Sequence, residues 1–373
     1  MMMLGKKIAA GAIMLFALTS AVAFADDTAL KAGDAKVRDE AQKFVVDFVG
    51  QAYKPYYTLN TIDSDISEYS VKDNVLTARV NISLSKTLKA KSVDEIPYVK
   101  GMKSQSAVLK QTNAISAMES EQVISDRLKD LSEYIGTATE QNDSFRLTAK
   151  VINGNIDNQS AKLEFLNYMD WIPAAHFVPE NEETMMKHGQ MDLLEAVTTN
   201  RAFTVRSAVQ PQAAFTYNRI AARDYANKYT STVTGSPYYD TSKWNKNYKF
   251  HTESGGVDCA NYVSQAMYAG GIPTDSTWKP ESIAWVNTGR NISNGLEDYM
   301  VRTKKYFYKT TKATTPAGGF ISALDYSHVM FVVANDTVTM QYSAHTNDKL
   351  KASFANFSDS KFEFFYINSA YLN

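Results

Sequence analysis

The apolar residues of the N-terminal half recur with two different periods. In some segments they recur every three or four residues, as on the buried face of a helix, and in others they alternate with polar residues, as on a half-buried strand. The predicted helices cover 37–50, 107–135 and 182–197. The predicted strands cover 75–84, 145–151 and 162–169. Asn153-Gly154 separates the last two strands and is typical of a hairpin turn. The pattern predicts an α+β N-terminal domain over residues 26–197, of unknown role.

The C-terminal half begins after a change in composition. Residues 198–214 have mostly short side chains, one proline and no sustained period, which predicts a linker. The stretch GGVDCANYVSQAMYAGG, residues 255–271, has its apolar residues at helical spacing. Asp258 is predicted to be the N-cap of this helix, and Gly270-Gly271 is predicted to end it. Cys259 therefore lies in the first turn.

The final segment, residues 215–373, ends in a predicted hairpin that brings two histidines together. Asn335-Asp336 fits a two-residue turn within SHVMFVVANDTVTMQYSAH. With this turn, His328 pairs with Ser343, and the apolar residues of both strands share one face. His328 and His345 then lie on the other, more polar face as diagonal neighbours. A bulge would shift this register.

The first 25 residues have the features of a signal peptide. Lys6-Lys7 precede an apolar run, and Ala23-Phe24-Ala25 forms a small-x-small cleavage site. We expect cleavage after Ala25 and a product that is secreted or associated with the cell wall. No later stretch approaches the roughly 20 unbroken apolar residues of a membrane span. The formal net charge is −1 with both signs mixed, so nothing indicates nucleic acid as a partner.

Cys259 is the single cysteine of the 373 residues. One cysteine cannot form an internal disulfide, and a helix N-terminus favours the thiolate. Cys259 is therefore a candidate nucleophile, and the alternative is a small buried residue without a chemical role. A nucleophile needs a base and a group that orients the base. His328 fits the base, and His345 or Asn347 fits the orienting group.

We expect no cofactor and no bound metal. The five histidines show neither an HExxH motif nor paired ligand spacing, which disfavours a zinc amidase. His176 and His188 are interpreted as ordinary residues. Trp278 and Trp285 lie in a loop-rich region, where they are candidates for substrate contact, with core packing as the other interpretation.

Four segments of the C-terminal half carry a specific set of residues: YNRIAARDYANKY, DCANYVSQAMYAGGIP, YSHVMFVV and SAHTND. Together they resemble the putative amidase domain family of exported bacterial proteins, a branch of the papain-like cysteine hydrolases related to cell-wall peptidases. The resemblance runs from Phe215 to the C-terminus and implies a papain-like domain in which the cysteine helix packs on an antiparallel sheet. Position by position, Cys259 resembles the nucleophile, His328 the general base and His345 the orienting residue.

The resemblance implies a hydrolase that cleaves an amide bond through a thioester acyl-enzyme, with peptidoglycan or its stem peptides as the substrate. The expected substrate contacts are Trp278, Trp285, Asp258 and Asn347. Gly318-Gly319 departs from the Gly-Asp expected at the start of the sheet. The alternative is a catalytically inactive protein that binds the cell wall or serves as a scaffold, and acyl transfer to an amine would use the same residues as hydrolysis.

Overall fold

The computed structural model of the chain describes residues 32–112, 117–206, 215–235, 238–253, 258–289, 294–325, 327–356 and 361–372. The predicted signal peptide, residues 1–25, lies outside them. Within the described residues the chain forms antiparallel sheets with helices packed on them, so the α+β prediction is confirmed. No helix in these ranges has both the length and the apolar character needed to cross a membrane.

The N-terminal half consists of an antiparallel sheet and the helices around it. The helices are α1 (Ala32–Tyr53), α2 (Pro97–Gln111), α3 (Ala117–Ser132) and α4 (Glu182–Arg206). The strands are β1 (Tyr57–Lys72), β2 (Val75–Leu88), β3 (Ala138–Ile152), β4 (Asn155–Ile156), β5 (Lys162–Asn167) and β6 (Asp170–Pro173). They pair in the order β1-β2-β3-β5-β6, and β4 pairs with β3.

Strand β2 shows how the sequence pattern produces this sheet. Its alternating apolar residues Leu76, Ala78 and Val80 are fully buried. Leu76 and Ala78 pack in one cluster with Val37 and Ala41 of α1. Because successive side chains of a strand point to opposite faces, the alternation buries one face of the sheet under this helix.

The structure differs from the sequence predictions at three places in the N-terminal half. The sequence does not predict β1, whose side chains are mostly polar and exposed or half-buried, because this edge strand is held by backbone pairing with β2. The helical region predicted over 107–135 contains the end of α2 and all of α3, so it holds parts of two helices. Helix α4 continues to Arg206, into the predicted linker, and residues 207–214 lie outside the described ranges.

The hairpin turn at Asn153-Gly154 is confirmed. Both residues have positive φ angles, 52° and 75°, as a two-residue type I′ turn requires. The flanking residues Ile152 and Asn155 pair across the turn. The turn returns the chain from β3 toward β5, which pairs with β3 as predicted.

The C-terminal half places a helix on one face of a second antiparallel sheet. The helices are α5 (Arg219–Lys228), α6 (Cys259–Ala269) and α7 (Ile283–Val286). The strands are β7 (Phe307–Thr310), β8 (Phe320–Ala323), β9 (His328–Asn335), β10 (Met340–Ala344), β11 (Lys349–Phe354) and β12 (Phe362–Ile367). They pair in the order β11-β10-β9-β8-β12-β7. Tyr262 and Val263 of α6 share a buried cluster with Val329 and Phe331 of β9, which holds the helix on the sheet.

The hairpin of β9 and β10 has a different register from the predicted one. Ser343 pairs with Phe331 and not with His328, and the ladder contains an irregularity typical of a bulge. The connection spans residues 336–339, because Asp336 Oδ1 accepts hydrogen bonds of 3.0 and 2.8 Å from two N–H groups within it. An aspartate that accepts such bonds stabilises a turn longer than two residues. The predicted pairing is therefore wrong.

A buried lysine joins the two halves. Lys86 of β2 is 0% exposed, and its Nζ donates hydrogen bonds to Gln141 Oε1 of β3 (2.5 Å) and to Thr339 Oγ1 of the β9–β10 turn (2.9 Å). The same ammonium lies 4.3 and 4.4 Å from the ring centroids of Tyr53 and Tyr57. Cations placed over aromatic rings in this way are attracted by the ring quadrupole. The halves therefore share an interior.

A second polar contact lies beside this lysine. Asp143 of β3 accepts hydrogen bonds from the N–H (2.9 Å) and the hydroxyl (3.1 Å) of Ser353 in β11. Desolvation lowers the pKa of Lys86 to about 8, and the charges of Asp336 and Asp143 oppose this shift. The ammonium remains favourable in the interior only because these oxygens and rings surround it.

Replacing Lys86 by Met tests this interface through the pH dependence of stability. The folded pKa of about 8 lies below the ordinary 10.5. Between these values the unfolded chain holds a proton that the folded chain has released, so this group makes the free energy of unfolding rise with pH. We expect the wild type to gain about 2 kcal/mol over Lys86→Met between about pH 7.5 and about pH 9.5, measured by urea unfolding.

The control is Lys72→Met, which removes an exposed lysine of β1. This variant should follow the wild type at both pH values. The buried lysines Lys312 and Lys349, whose pKa values are also lowered by desolvation, are present in all three proteins and cancel in the comparison. A pH dependence of Lys86→Met identical to that of the wild type would contradict the expectation.

Candidate active site

Cys259 is the first residue of α6, as the sequence predicts, and is 3% exposed. Asp258 precedes it at the N-cap position, but the Asp258 side chain makes no capping hydrogen bond to the helix. Asp258 is therefore the N-cap residue, as predicted, but its carboxylate does not bind the N–H groups of the helix. Its oxygens are engaged by other parts of the domain, as described below.

Cys259 lines a cleft of about 320 Å³. The other lining residues come from the loop before α6, from the end of α7 and the residues after it, and from the residue before β9: His251, Glu253, Val286, Asn287, Thr288 and Ser327. The hydroxyl groups of Thr288 and Ser327 are hydrogen-bonded to each other at 2.5 Å. Sequence reasoning missed these residues because they lie in loops without a periodic pattern or a motif. Five of these six residues carry polar side chains.

Burial raises the pKa of the Cys259 thiol to about 11. Desolvation is the largest cause, and the negative charge of Asp258 adds to it. The backbone N–H groups of Val329 and Ala260 act in the opposite direction. The thiolate expected from the helix N-terminus is therefore not the resting form, because burial outweighs the helix dipole. Attack by this sulfur requires a base.

The Asp258 carboxylate connects three segments of the chain. Its Oδ2 lies 2.7 Å from Nδ1 of His345. Its Oδ1 accepts hydrogen bonds from Asn261 Nδ2 (2.8 Å) and from the N–H of His251 (3.0 Å). The other ring nitrogen of His345, Nε2, lies 2.6 Å from the carbonyl oxygen of Tyr229. Asp258 and His345 are each 1% exposed, so this carboxylate and its partners form part of the interior.

The ring of His345 is held on both sides by aromatic rings. Trp244 and Tyr262 each stack on it with centroids 4.1 Å away and interplanar angles of 10° and 22°. Tyr262 belongs to α6, so His345 contacts the helix that carries Cys259 through Tyr262 and Asp258. With these contacts and its two hydrogen-bond partners, the imidazole has a single orientation.

His328 is the first residue of β9. By strand alternation it shares a face with Met330 and Val332, whose cluster also contains Tyr168 of the β5–β6 turn. The Tyr168 ring stacks on the His328 ring with centroids 4.1 Å apart. Tyr168 comes from the N-terminal half, so a residue outside the C-terminal segment contacts the predicted base.

The structure does not bring the predicted site histidines together. His345 contacts α6, whereas His328 contacts Tyr168, and the predicted shared face is wrong because the hairpin register differs. Nε2 of His328 is buried and has no hydrogen-bond partner among the residues that the structure describes. The hydrogen bonds of the described residues include none between His328 and Cys259. Desolvation lowers the pKa of His328 to about 3, so its ring is neutral at physiological pH.

Residues 216–368 match the family model described as a putative amidase domain. This segment, here termed the amidase domain, is similar to that family. The amidase domain contains α5, α6, α7 and strands β7 to β12, and with them Cys259, His328 and His345. The uncharacterized protein YjcM of Bacillus subtilis strain 168 is 42% identical over 73 residues, which are 20% of this chain and 14% of that protein. The chain therefore matches a small part of this relative's length. No solved structure matches the chain.

The two tryptophans predicted to contact substrate lie in the core of the amidase domain. Trp278 and Trp285 are 0% exposed, and their ring centroids are 4.6 Å apart. Nε1 of Trp278 donates to Ser264 Oγ (3.2 Å), and Nε1 of Trp285 donates to Asn261 Oδ1 (2.8 Å). Substrate contact by these rings stays a prediction, and their full burial favours the packing interpretation.

Asn347 and Asp258, also predicted to contact substrate, are engaged within the protein. Asn347 Nδ2 donates to the carbonyl oxygen of Tyr168 (3.0 Å), and its Oδ1 accepts from Lys349 Nζ (3.1 Å). Asn347 therefore holds the β5–β6 turn in place rather than orienting His328 directly. Among the residues that the structure describes, no group of three His, Cys, Asp or Glu side chains is placed to bind a metal ion.

Crowding explains why Gly318-Gly319 replaces the expected Gly-Asp. A Cβ at residue 319 would lie 2.6 Å from the carbonyl oxygen of Phe365 in the neighbouring strand. Gly318 has a φ of +98°, a conformation that residues other than glycine rarely adopt. An aspartate at the second position would therefore collide with the backbone of β12.

The contact between Tyr168 and His328 predicts an unusual titration. With a pKa of about 3, the His328 ring should stay neutral well below the ordinary 6.5. Tyr168→Ala opens the ring to water, so its pKa should rise toward the ordinary value. Proton NMR of the His328 ring across acidic pH, assigned with His328→Gln, measures both midpoints.

Tyr238→Ala, which removes a 55% exposed tyrosine, is the matched control and should leave the His328 midpoint unchanged. A wild-type midpoint near 6.5, or an equal midpoint in Tyr168→Ala, would show that Tyr168 does not shield the ring.

Proposed function

We propose that this protein hydrolyses an amide bond with Cys259 as the nucleophile. The observation that carries the proposal is the position of this single thiol, at the first residue of a helix, in a cleft of a putative amidase domain. The N–H groups at the start of α6 supply donors for the oxyanion that develops when a carbonyl carbon is attacked.

The chemistry begins with proton transfer from the thiol. The sulfur then bonds to the carbonyl carbon, the C–N bond breaks, and the leaving amine takes up the proton. A thioester remains, and water attacks it to release the acid and restore the thiol. Because burial keeps the thiol protonated, a base must act in the first step.

His328 is the proposed base. Its ring is neutral, and no described residue is hydrogen-bonded to its Nε2, so this nitrogen can accept a proton once the ring leaves the desolvated position that lowers its pKa. Its neighbour in β9, Val329, has its N–H close enough to the sulfur to influence the thiol pKa. The ring must leave its stack on Tyr168 to reach the thiol, and we propose that substrate binding accompanies this rotation.

Peptidoglycan or its stem peptides are the proposed substrate class, and the protein is proposed to act outside the cytoplasm. The signal-peptide pattern of residues 1–25 and the resemblance to cell-wall hydrolases support both proposals. The side chains of Asn287, Thr288 and Ser327 in the cleft could hydrogen-bond the amide groups of a peptide.

A catalytically inactive protein that binds the cell wall is the second candidate. The resting site favours it in one respect, since the thiol is protonated and no hydrogen bond joins it to a histidine among the described residues. Product release from cell-wall fragments separates the two candidates, because only an active enzyme forms new amino and carboxyl ends, whereas the resting thiol is protonated in both.

Activity on cell-wall fragments tests the proposal directly. Purified protein should release new amino and carboxyl ends that mass spectrometry identifies, and transfer to an amine would instead give a new amide. Cys259→Ala should lower the rate by about a thousandfold or more, since the nucleophile is lost. His328→Ala should lower it to a similar extent, because residues that act as a unit are not additive.

His188→Ala is the control for the histidine variant. His188 lies on α4 in an ion pair with Glu180 and should not affect turnover. Circular dichroism and thermal unfolding of each variant confirm that the fold is kept. If the folded Cys259→Ala variant were fully active on the fragments, this result would contradict a mechanism with Cys259 as the nucleophile.

A further inference from the structure

Both ring nitrogens of His345 face hydrogen-bond acceptors. Nδ1 lies 2.7 Å from Oδ2 of Asp258, and Nε2 lies 2.6 Å from the carbonyl oxygen of Tyr229. A neutral imidazole donates through one nitrogen only. Two arrangements satisfy all four groups: an imidazolium beside a carboxylate, or a neutral imidazole beside a protonated carboxylic acid.

The other oxygen of Asp258 decides between them. Oδ1 accepts two hydrogen bonds, from Asn261 Nδ2 and from the N–H of His251. With Nδ1 of His345 the carboxyl group has three donors around it, which is the environment that stabilises the ionised form. The imidazolium beside a carboxylate is therefore favoured.

This pair lies next to the reacting sulfur. Asp258 is the residue before Cys259, and its negative charge is among the causes that raise the pKa of the thiol. A positive charge on His345, held by Trp244 and Tyr262, offsets that effect. His345 makes no hydrogen bond to His328 in the described residues, so its route to the site runs through Asp258.

We propose that His345 is a buried imidazolium that balances the Asp258 carboxylate beside Cys259 and fixes the start of α6, so that it acts as a positioning residue for the nucleophile and not for His328. The inference rests on Cys259 being the nucleophile. It assigns the DCxN segment a physical role: Asp258 binds His345, and Asn261 holds both Asp258 and Trp285.

Other charged or titratable groups surround this pair and the thiol. They are Asp348, which senses the charge of His345, His251 and Glu253 in the cleft, and His328 at the start of β9. None of them is altered in the variants below, so their contributions cancel when rates are compared.

The protonation state of His345 is measured first. In the full chain labelled with ¹⁵N-histidine, both ring nitrogens of His345 should give the resonances of protonated nitrogens at neutral pH. His345→Gln identifies the signals by their loss. A single protonated ring nitrogen at neutral pH overturns the proposal.

The effect on the sulfur is measured by the rate of iodoacetamide alkylation at one pH below the thiol midpoint, where the rate follows the thiolate fraction. His345→Gln leaves the Asp258 charge unbalanced and should slow alkylation about tenfold, equal to one pKa unit. Asp258→Asn should speed it, and the double variant should return to within about threefold of the wild type. The matched control His188→Gln, which breaks another histidine–carboxylate pair, should not change the rate.

A residue that oriented His328 would give a different pattern. Alkylation would slow in His345→Gln and Asp258→Asn would not restore it, and this result overturns the proposal. If His345→Gln does not fold, the ¹⁵N signature and the rate of Asp258→Asn remain decisive, and an unchanged or slower rate in Asp258→Asn counts against the proposal. Alkylation reports on the thiol without any substrate. The role of Cys259 in amide hydrolysis is tested independently, by the activity of Cys259→Ala on cell-wall fragments.

Discussion

The Asp258 carboxylate holds together three segments that are distant in the sequence. One oxygen meets the histidine that follows β10, and the other meets the loop at His251 and the first turn of α6 through Asn261. A buried carboxylate that loses one partner is left with an uncompensated charge, at a cost of about 3–5 kcal/mol. The place of Cys259 at the edge of the cleft depends on this single group, because the helix and the sheet meet there.

The N-terminal half takes part in the same architecture. Lys86 and Asp143 bind the turn and the edge strand of the second sheet, and Tyr168 covers the ring of His328. Asn347 fixes the Tyr168 backbone from the amidase domain. The environment of the proposed base is therefore built by both halves of the chain, although the motifs of the family lie in one of them.

Local signals in the sequence were sufficient for α6. A polar residue before the helix, apolar residues at helical spacing and paired glycines after it placed Cys259 at the first helical position, where the structure has it. The β9–β10 register was beyond such reasoning, because Asp336 extends the turn through its own side chain. Strand β1 was missed for a related reason: it is held by backbone pairing, which leaves little trace in its side chains.

The protonation state of the Cys259 thiol is a second property that the sequence alone does not predict. The helix N-terminus is visible in the sequence, and the favourable dipole follows from it. The loops that bury the sulfur, at 251–253 and 286–288, become its neighbours only when the domain folds. The desolvation that these loops impose on the sulfur raises its pKa, and no sequence pattern near Cys259 predicts this effect.

The enclosed resting sulfur has a consequence for durability. Peroxides and other oxidants attack the ionised form of cysteine, and the products beyond sulfenic acid are not reversed for most proteins. A thiol that is 3% exposed and protonated at neutral pH reacts slowly with them. In oxidising surroundings, with no second cysteine to form a protective bridge, such shielding would preserve the reduced state until a ligand occupies the cleft.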